Sequence, residues 1–234
     1  MKTQEARCLV ISPHPDDAEF GAAGTVAGLT AKGQSVAYVV CTSGDKGTDN
    51  PKVNPDDLAR IREEEQRQAA AVLGVQDVVF LRYPDQGLED TPEFRKRLVE
   101  QIRTFRPEVV ITSDPYRRYI WHRDHRIVGR AVIDAVFPYA RDHWSYPDLS
   151  EQGLEPHKVK EIWLWAPNEE DINFRSDITA TFDIKLKALR CHTSQVKDKF
   201  SDEMEKWLCT RARDMAEGEK FRLAEGFHRA VIWF

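Results

Sequence analysis

Short apolar runs alternate with segments in which apolar residues return every three or four positions. Cys8 to Ser12 (CLVIS) reads as a buried strand. Ala22 to Gly33 has a small apolar face and reads as a helix ending at Gly33. Ser35 to Ser43 (SVAYVVCTS) is a second strand, followed by a polar loop rich in Gly, Asp, Asn and Pro. Pro55 to Gly74 carries apolar residues at helical spacing, acidic residues at its start and a glycine at its end. Asp77 to Leu81, Thr91 to Arg106, Glu108 to Asp114 and Arg123 to Phe137 continue the alternation as strand, helix, strand and helix. Beyond Tyr139 the rhythm changes. The spacing predicts a strand within 157–167, helices over 182–194 and 201–219, and a last strand over 227–234.

Strands alternating with helices imply a mostly parallel sheet covered on both faces, a Rossmann-like three-layer α/β/α fold. No internal repeat, low-complexity tract or linker interrupts the 234 residues. The expectation is therefore one domain over 1–234, with a core of about 6–140 and an extension of the same domain over about 141–234. Open sheets of this kind place their sites beyond the carboxyl ends of the strands. Three loops meet that condition: Pro13 to Gly21 after the first strand, Thr42 to Gly47 after the second, and Ser113 to His125 after the fourth.

Composition narrows the classes. With 41% apolar and 31% charged residues the chain reads as an ordinary globular protein. A formal charge of −5 argues against general affinity for nucleic acid or anionic membrane. No stretch has the length and apolarity of a membrane span, and the N-terminus lacks the apolar region of a signal peptide. Cys8, Cys41, Cys191 and Cys209 stand far apart without CxxC spacing, so neither a disulfide framework nor a cysteine zinc site is indicated. The chain reads as reduced and cytoplasmic.

The chemistry concentrates in two of the three loops. His14 and Asp17 stand three residues apart, with Pro13 and Pro15 stiffening the turn, and His122 and His125 repeat the spacing in the fourth-strand loop. Taken alone, HPDD also suits a helix N-terminus, because carboxylates favour the first turn. Delivery of a second cluster to the same rim favours a metal centre. Two histidines and one carboxylate with an open position make a catalytic zinc set, in which the metal activates water and polarises a carbonyl. Asp16 is left beside that set as a general base. Glu19 either supports the site or belongs to the helix's first turn.

PHPDDAEFGAAGT together with HRDH resembles the PIG-L/LmbE family of zinc-dependent N-acetylglucosaminyl deacetylases. RIREEEQRQAAAVLGV resembles that family's second helix and KALRCHTSQ a C-terminal element, so the likeness runs from about Cys8 to about Gln195. It implies His14, Asp17 and His125 as ligands of one zinc ion (Fe2+ suits the same donors) and Asp16 as base. It further implies that His122, as imidazolium, stabilises the oxyanion or protonates the leaving amine, and that Asp124 orients a histidine. Arg123 stands where the family has proline, and Ile120 where some members have tyrosine.

Arg62 resembles the family's helix arginine near the substrate, although Arg–Glu pairs on a solvated helix face explain it equally. Tyr119 and Trp121, beside four arginines of the same loop, suit a sugar face. His192, placed on a predicted helix, is in some members a residue that approaches the site, sometimes from a neighbouring subunit. The resemblance also implies a homo-oligomer, trimer or hexamer. Three functions stay open: removal of acetyl from an N-acetylglucosamine-type sugar, hydrolysis of a different N-acyl amide, and a non-catalytic nucleotide-binding module.

Overall fold

In the computed structural model, residues 5–196 and 202–233 are described. Seven strands form one sheet in the order β3-β2-β1-β4-β5-β7-β6. They are β1 (Cys8–Ser12), β2 (Val36–Thr42), β3 (Asp77–Tyr83), β4 (Val109–Ser113), β5 (Glu161–Trp165), β6 (Phe174–Asp177) and β7 (Ala224–Val231). β1 to β5 pair in parallel, whereas β7 runs antiparallel to both β5 and β6. The helices are α1 (Asp17–Ala31), α2 (Pro55–Val72), α3 (Pro92–Phe105), α4 (Arg123–Val136), α5 (Pro147–Glu151), α6 (Phe182–Arg190), α7 (Thr193–Val196) and α8 (Asp202–Met215). Among the described residues no helix is long and apolar enough to cross a membrane.

Every residue of β1 is buried, as a central parallel strand covered on both faces requires. Its side chains alternate between two cores. Leu9 and Ile11 pack with α3 and α4, while Cys8 and Val10 pack with α1 and α2. Each such aliphatic side chain contributes about 1.5–3 kcal/mol by leaving water. Gly33 and Gly74 follow the ends of α1 and α2 with φ of 73° and 76°.

The structure departs from the sequence expectation at several elements: α1 begins at Asp17 rather than Ala22, α5 was not expected, and α8 ends at Met215. β6 (Phe174–Asp177) went unpredicted: it is four residues long, mostly polar and at the sheet edge. The helix expected over 182–194 stops at Arg190, which leaves His192 in the bend before α7. The last strand begins at Ala224 and ends at Val231, while Ser201 and Phe234 lie outside the described residues.

Two contacts carry the fold's order into the site. Thr42 donates its N–H to Pro13 O at 2.8 Å, fastening the turn after β1 to the end of β2. Ser113 Oγ donates to His125 O at 2.9 Å, fastening the first turn of α4 to the end of β4. This close approach needs Gly129, because a Cβ there would collide with Ser113 O and the Pro115 ring. Gly129→Ala is expected to cost about 1–3 kcal/mol by forcing α4 off β4. Urea unfolding checks this, and an unchanged midpoint would contradict it.

Candidate active site

β1, β3 and β4 end on one rim, and the loops beyond them bring His14, Asp85, His122, Asp124 and His125 together. Asp17, at the start of α1, lies within the same cluster. Its Oδ2 is 3.0 Å from His14 Nδ1 and 3.1 Å from His125 Nε2, and accepts the His14 N–H at 2.9 Å. Four-coordinate zinc, with bonds near 2.0–2.1 Å, sets neighbouring ligand atoms about 3.3 Å apart, a spacing each of these two Asp17 separations approaches. His14, His122 and His125 also offer ligand atoms within 4.8 Å of one another, as do His14, Asp85, His122 and Asp124. The nitrogen and oxygen donors match a divalent cation of the zinc or iron kind. His125 Nδ1 and Asp124 Oδ1 are buried without hydrogen-bond partners among the described residues.

The charges point the same way. His14 Nε2 is 3.1 Å from Asp85 Oδ1 and 3.3 Å from Asp124 Oδ2. Burial disfavours a charge on His14, yet Asp124, Asp17 and Asp85 outweigh it and push its pKa up to about 12. Burial also works against the Asp17 carboxylate, but His125 and His14 hold its pKa well below the usual range. This pocket of carboxylates favours positive charge, and a dication supplies it more fully than one proton does.

Asp16 sits at φ 98°, in the left-handed region. Such strain in a residue other than glycine costs about 1–3 kcal/mol and is kept where the surroundings enforce it. Here they do. Gln66 Oε1 accepts the Asp16 N–H at 3.0 Å, and Arg62 Nη2 donates to Asp16 Oδ2 at 3.2 Å. Burial raises the Asp16 pKa, Arg62 lowers it and Asp17 raises it again, leaving it at about 6. That is suitable for a base near neutrality.

His122 caps α4, its Nδ1 accepting the Asp124 N–H at 3.2 Å. A ring nitrogen that accepts at a helix N-terminus does not also hold a proton, so the proton sits on Nε2. Burial and the nearby His14 and His125 lower its pKa further. The imidazolium expected from the sequence is thus replaced by a neutral ring with its Nε2–H free to donate. Asp124 reaches His14 rather than His122 through its side chain, and its Oδ2 accepts the Gln86 N–H at 2.7 Å.

The four residues assigned to substrate stand apart from one another in role. Arg62 is 4% exposed, not on a solvated face. Its donors go to Gly44 O at 2.9 Å, to Pro15 O and to Asp16, so it holds Asp16 rather than reaching outward. Trp121 packs edge-on against His125 at 4.5 Å, donates to Asp114 O at 3.0 Å and carries Arg117 over its ring. Arg117 covers one face of the Trp121 ring, and the residue lines the cavity beside the cluster. Tyr119 is 90% exposed at the loop tip, where its ring is available. His192 is fully buried, with Nε2 3.2 Å from Glu19 Oε2. Glu19 also accepts from Gln66 Nε2 at 2.9 Å, so it does not cap the helix; with Gln66 it links His192 to the Asp16 backbone. His192 is correspondingly removed from substrate contact.

Sequence reasoning missed Asp85, which follows β3 in a YPDQG loop that carries no metal-spacing signal. Arg123 occupies the first turn of α4, where proline is also favoured, and its guanidinium bonds Leu88 O and Glu89 Oε1. The proline replacement therefore fastens the histidine loop to the β3 loop.

Two outcomes are expected. Zinc at a hundredfold excess over its Kd stabilises the protein by about 2.7 kcal/mol, and a chelator reverses it. Thermal melts check this, and an equal rise in His125→Ala would contradict the site. His192→Ala costs about 3–5 kcal/mol by leaving the buried Glu19 unpaired. Denaturant unfolding checks this, and a loss below 1 kcal/mol would contradict the pairing.

Comparison with known proteins now adds to the geometry. The family model described as PIG-L: GlcNAc-PI de-N-acetylase matches residues 9–136. The diacetylchitobiose deacetylase of Thermococcus kodakarensis is 35% identical over 220 residues, 94% of this chain and 81% of that protein. A probable N-acetyl-alpha-D-glucosaminyl L-malate deacetylase of Bacillus anthracis is 29% identical, with 85% of each chain covered. The solved N,N'-diacetylchitobiose deacetylase of Pyrococcus horikoshii, bound to an inhibitor, superimposes with a TM-score of 0.90 at 34% identity. That superposition covers 97% of this chain and 84% of the other. With a match that takes in the strands, the first histidine–aspartate turn and the HRDH helix alike, the chain belongs to the PIG-L family of de-N-acetylases.

Proposed function

We propose that this protein is a metal-dependent hydrolase that removes the acetyl group from the amide nitrogen of an N-acetylglucosamine-type sugar or glycoconjugate. The observation that carries the reading is the Asp17 carboxylate between His14 and His125, with a strained, Arg62-held Asp16 next to it in sequence. His14, Asp17 and His125 would hold the ion, which we take to be zinc. When bound, such an ion lowers the pKa of water and polarises the amide carbonyl.

The chain's own groups supply the remaining steps. Asp16 accepts a proton from the attacking water. The His122 Nε2–H donates a hydrogen bond to the carbonyl oxygen as negative charge develops there, a role a neutral imidazole fills without titrating. Asp16 then returns its proton to the departing nitrogen as the C–N bond breaks. One water is consumed, and acetate and the free amine leave. Asp124 keeps His14 oriented through Nε2, the usual outer partner of a ligating imidazole. Arg62 keeps Asp16 in place, and Tyr119 presents its ring at the rim where a sugar face can stack.

The family resemblance and the named sugar deacetylases support the substrate class over another amide. The cage of carboxylates and imidazoles has no use in a purely structural turn. Acetate release from N-acetylglucosamine, diacetylchitobiose and N-acetyl amino acids, with and without added zinc, tests the assignment. Zinc-dependent release confined to the sugars is expected; release confined to the amino acids would overturn the sugar assignment. Asp16→Asn should lower kcat by about 10²–10⁴-fold while zinc stays bound, the range for loss of a general base. Near-normal turnover in that variant would remove Asp16 from the mechanism.

A further inference from the structure

A cleft of about 250 Å3, open to solvent on its α8 side, lies beside the candidate metal centre, between α1, α6, α8 and the start of β7. Asp17 and His125 both line it, so it is continuous with the centre. Asp16, His122 and Arg62 are not among its lining residues. The walls are mainly apolar: Phe20, Trp165, Ile178, Phe182, Leu208 and Met215.

The polar groups at its buried end are already paired. At the buried end Lys185 Nζ donates to Glu225 Oε1 at 2.6 Å and to Phe20 O at 2.7 Å. Glu225 in turn accepts from the backbone N–H groups of Gly24 and Thr25 at 3.0 and 2.8 Å, and from Thr25 Oγ1 at 2.6 Å. At the other end Arg117 lies over Trp121, and the exposed Arg211 over Trp207. A sugar pushed against the buried, apolar end would leave hydroxyls without partners, at a cost that apolar carbon does not meet.

A carbonyl held at the centre has two substituents, the amine and the acyl carbon. The exposed rim with Tyr119 suits the hydroxylated amine part, and the apolar cavity suits acyl carbon. A group the size of a water takes about 30 Å3, so an acetyl methyl would leave most of the space bare. We infer that the cavity between α1, α6 and α8 is an acyl pocket that takes chains longer than acetyl, making the enzyme an N-deacylase for amino sugars with short to medium aliphatic acyl groups. The inference rests on the N-deacylase reading above. The reaction is unchanged in form: one water is consumed, the amide C–N bond breaks, and the fatty acid and free amine are released.

The test compares kcat/KM of the full-length, zinc-loaded protein on N-acetyl-, N-butanoyl- and N-hexanoylglucosamine, followed by amine release. Hexanoyl turnover at or above the acetyl rate is expected, since apolar contact grows with each methylene. Ala212→Phe, which plugs the cavity from α8, should lower the hexanoyl-to-acetyl ratio about tenfold or more. Leu208→Ala, which lengthens the cavity and is the gentler change, should raise that ratio. Acetyl turnover with hexanoyl more than about a hundredfold poorer, and a ratio unmoved by either variant, would overturn the acyl pocket alone. Failure to release amine from any of the three sugars would overturn the pocket and the deacylase reading together.

Discussion

Asp17 Oδ2 stands about equally close to an imidazole from each of two loops, 3.0 Å from His14 and 3.1 Å from His125. A carboxylate buried at this depth is expensive unless positive charge lies within bonding distance. The surrounding site follows from that constraint. His14 gathers Asp85 and Asp124 on its far nitrogen, and its raised pKa records how strongly the cluster favours positive charge. Asp16, one residue earlier, is turned into a left-handed conformation that sets its carboxylate against Arg62. The chemistry and the strain share one cause: two successive aspartates must face different partners across a helix start.

The scaffold makes this possible by anchoring both loops to the sheet. The turn after β1 is pinned to β2 through Pro13 O, and α4 is pinned to β4 through Ser113 and the close approach at Gly129. A further layer reaches Asp16 from behind. His192, beyond α6, binds Glu19; Gln66 of α2 binds Glu19 and the Asp16 backbone. His192 thus supports Asp16 through Glu19 and Gln66, and α8 closes one wall of the cavity beside Asp17 and His125.

Much of this was legible in the sequence, for particular physical reasons. Strands buried on both faces read as continuous apolar runs, α2 and α3 announced themselves by the periodicity of their apolar residues, and α2 also by acidic residues at its start and Gly74 at its end. His14, Asp17, His122 and His125 carry spacing that points to chemistry. Asp85 carries none: it enters the site because β3 pairs with β2, a relation of tertiary structure. The charge state of His122 was equally hidden, because it depends on which ring nitrogen accepts the Asp124 N–H. Arg62 and His192 looked like surface or substrate residues until burial showed their donors turned inward.

The proposed chemistry requires one cation among His14, Asp17 and His125. Anomalous diffraction at the zinc absorption edge, on crystals grown with zinc, tests it most directly. A single strong peak is expected about 2.0–2.2 Å from a nitrogen of each histidine and from the Asp17 carboxylate. A peak coordinated instead by His14, Asp85, His122 and Asp124, or none in this cluster, would contradict it.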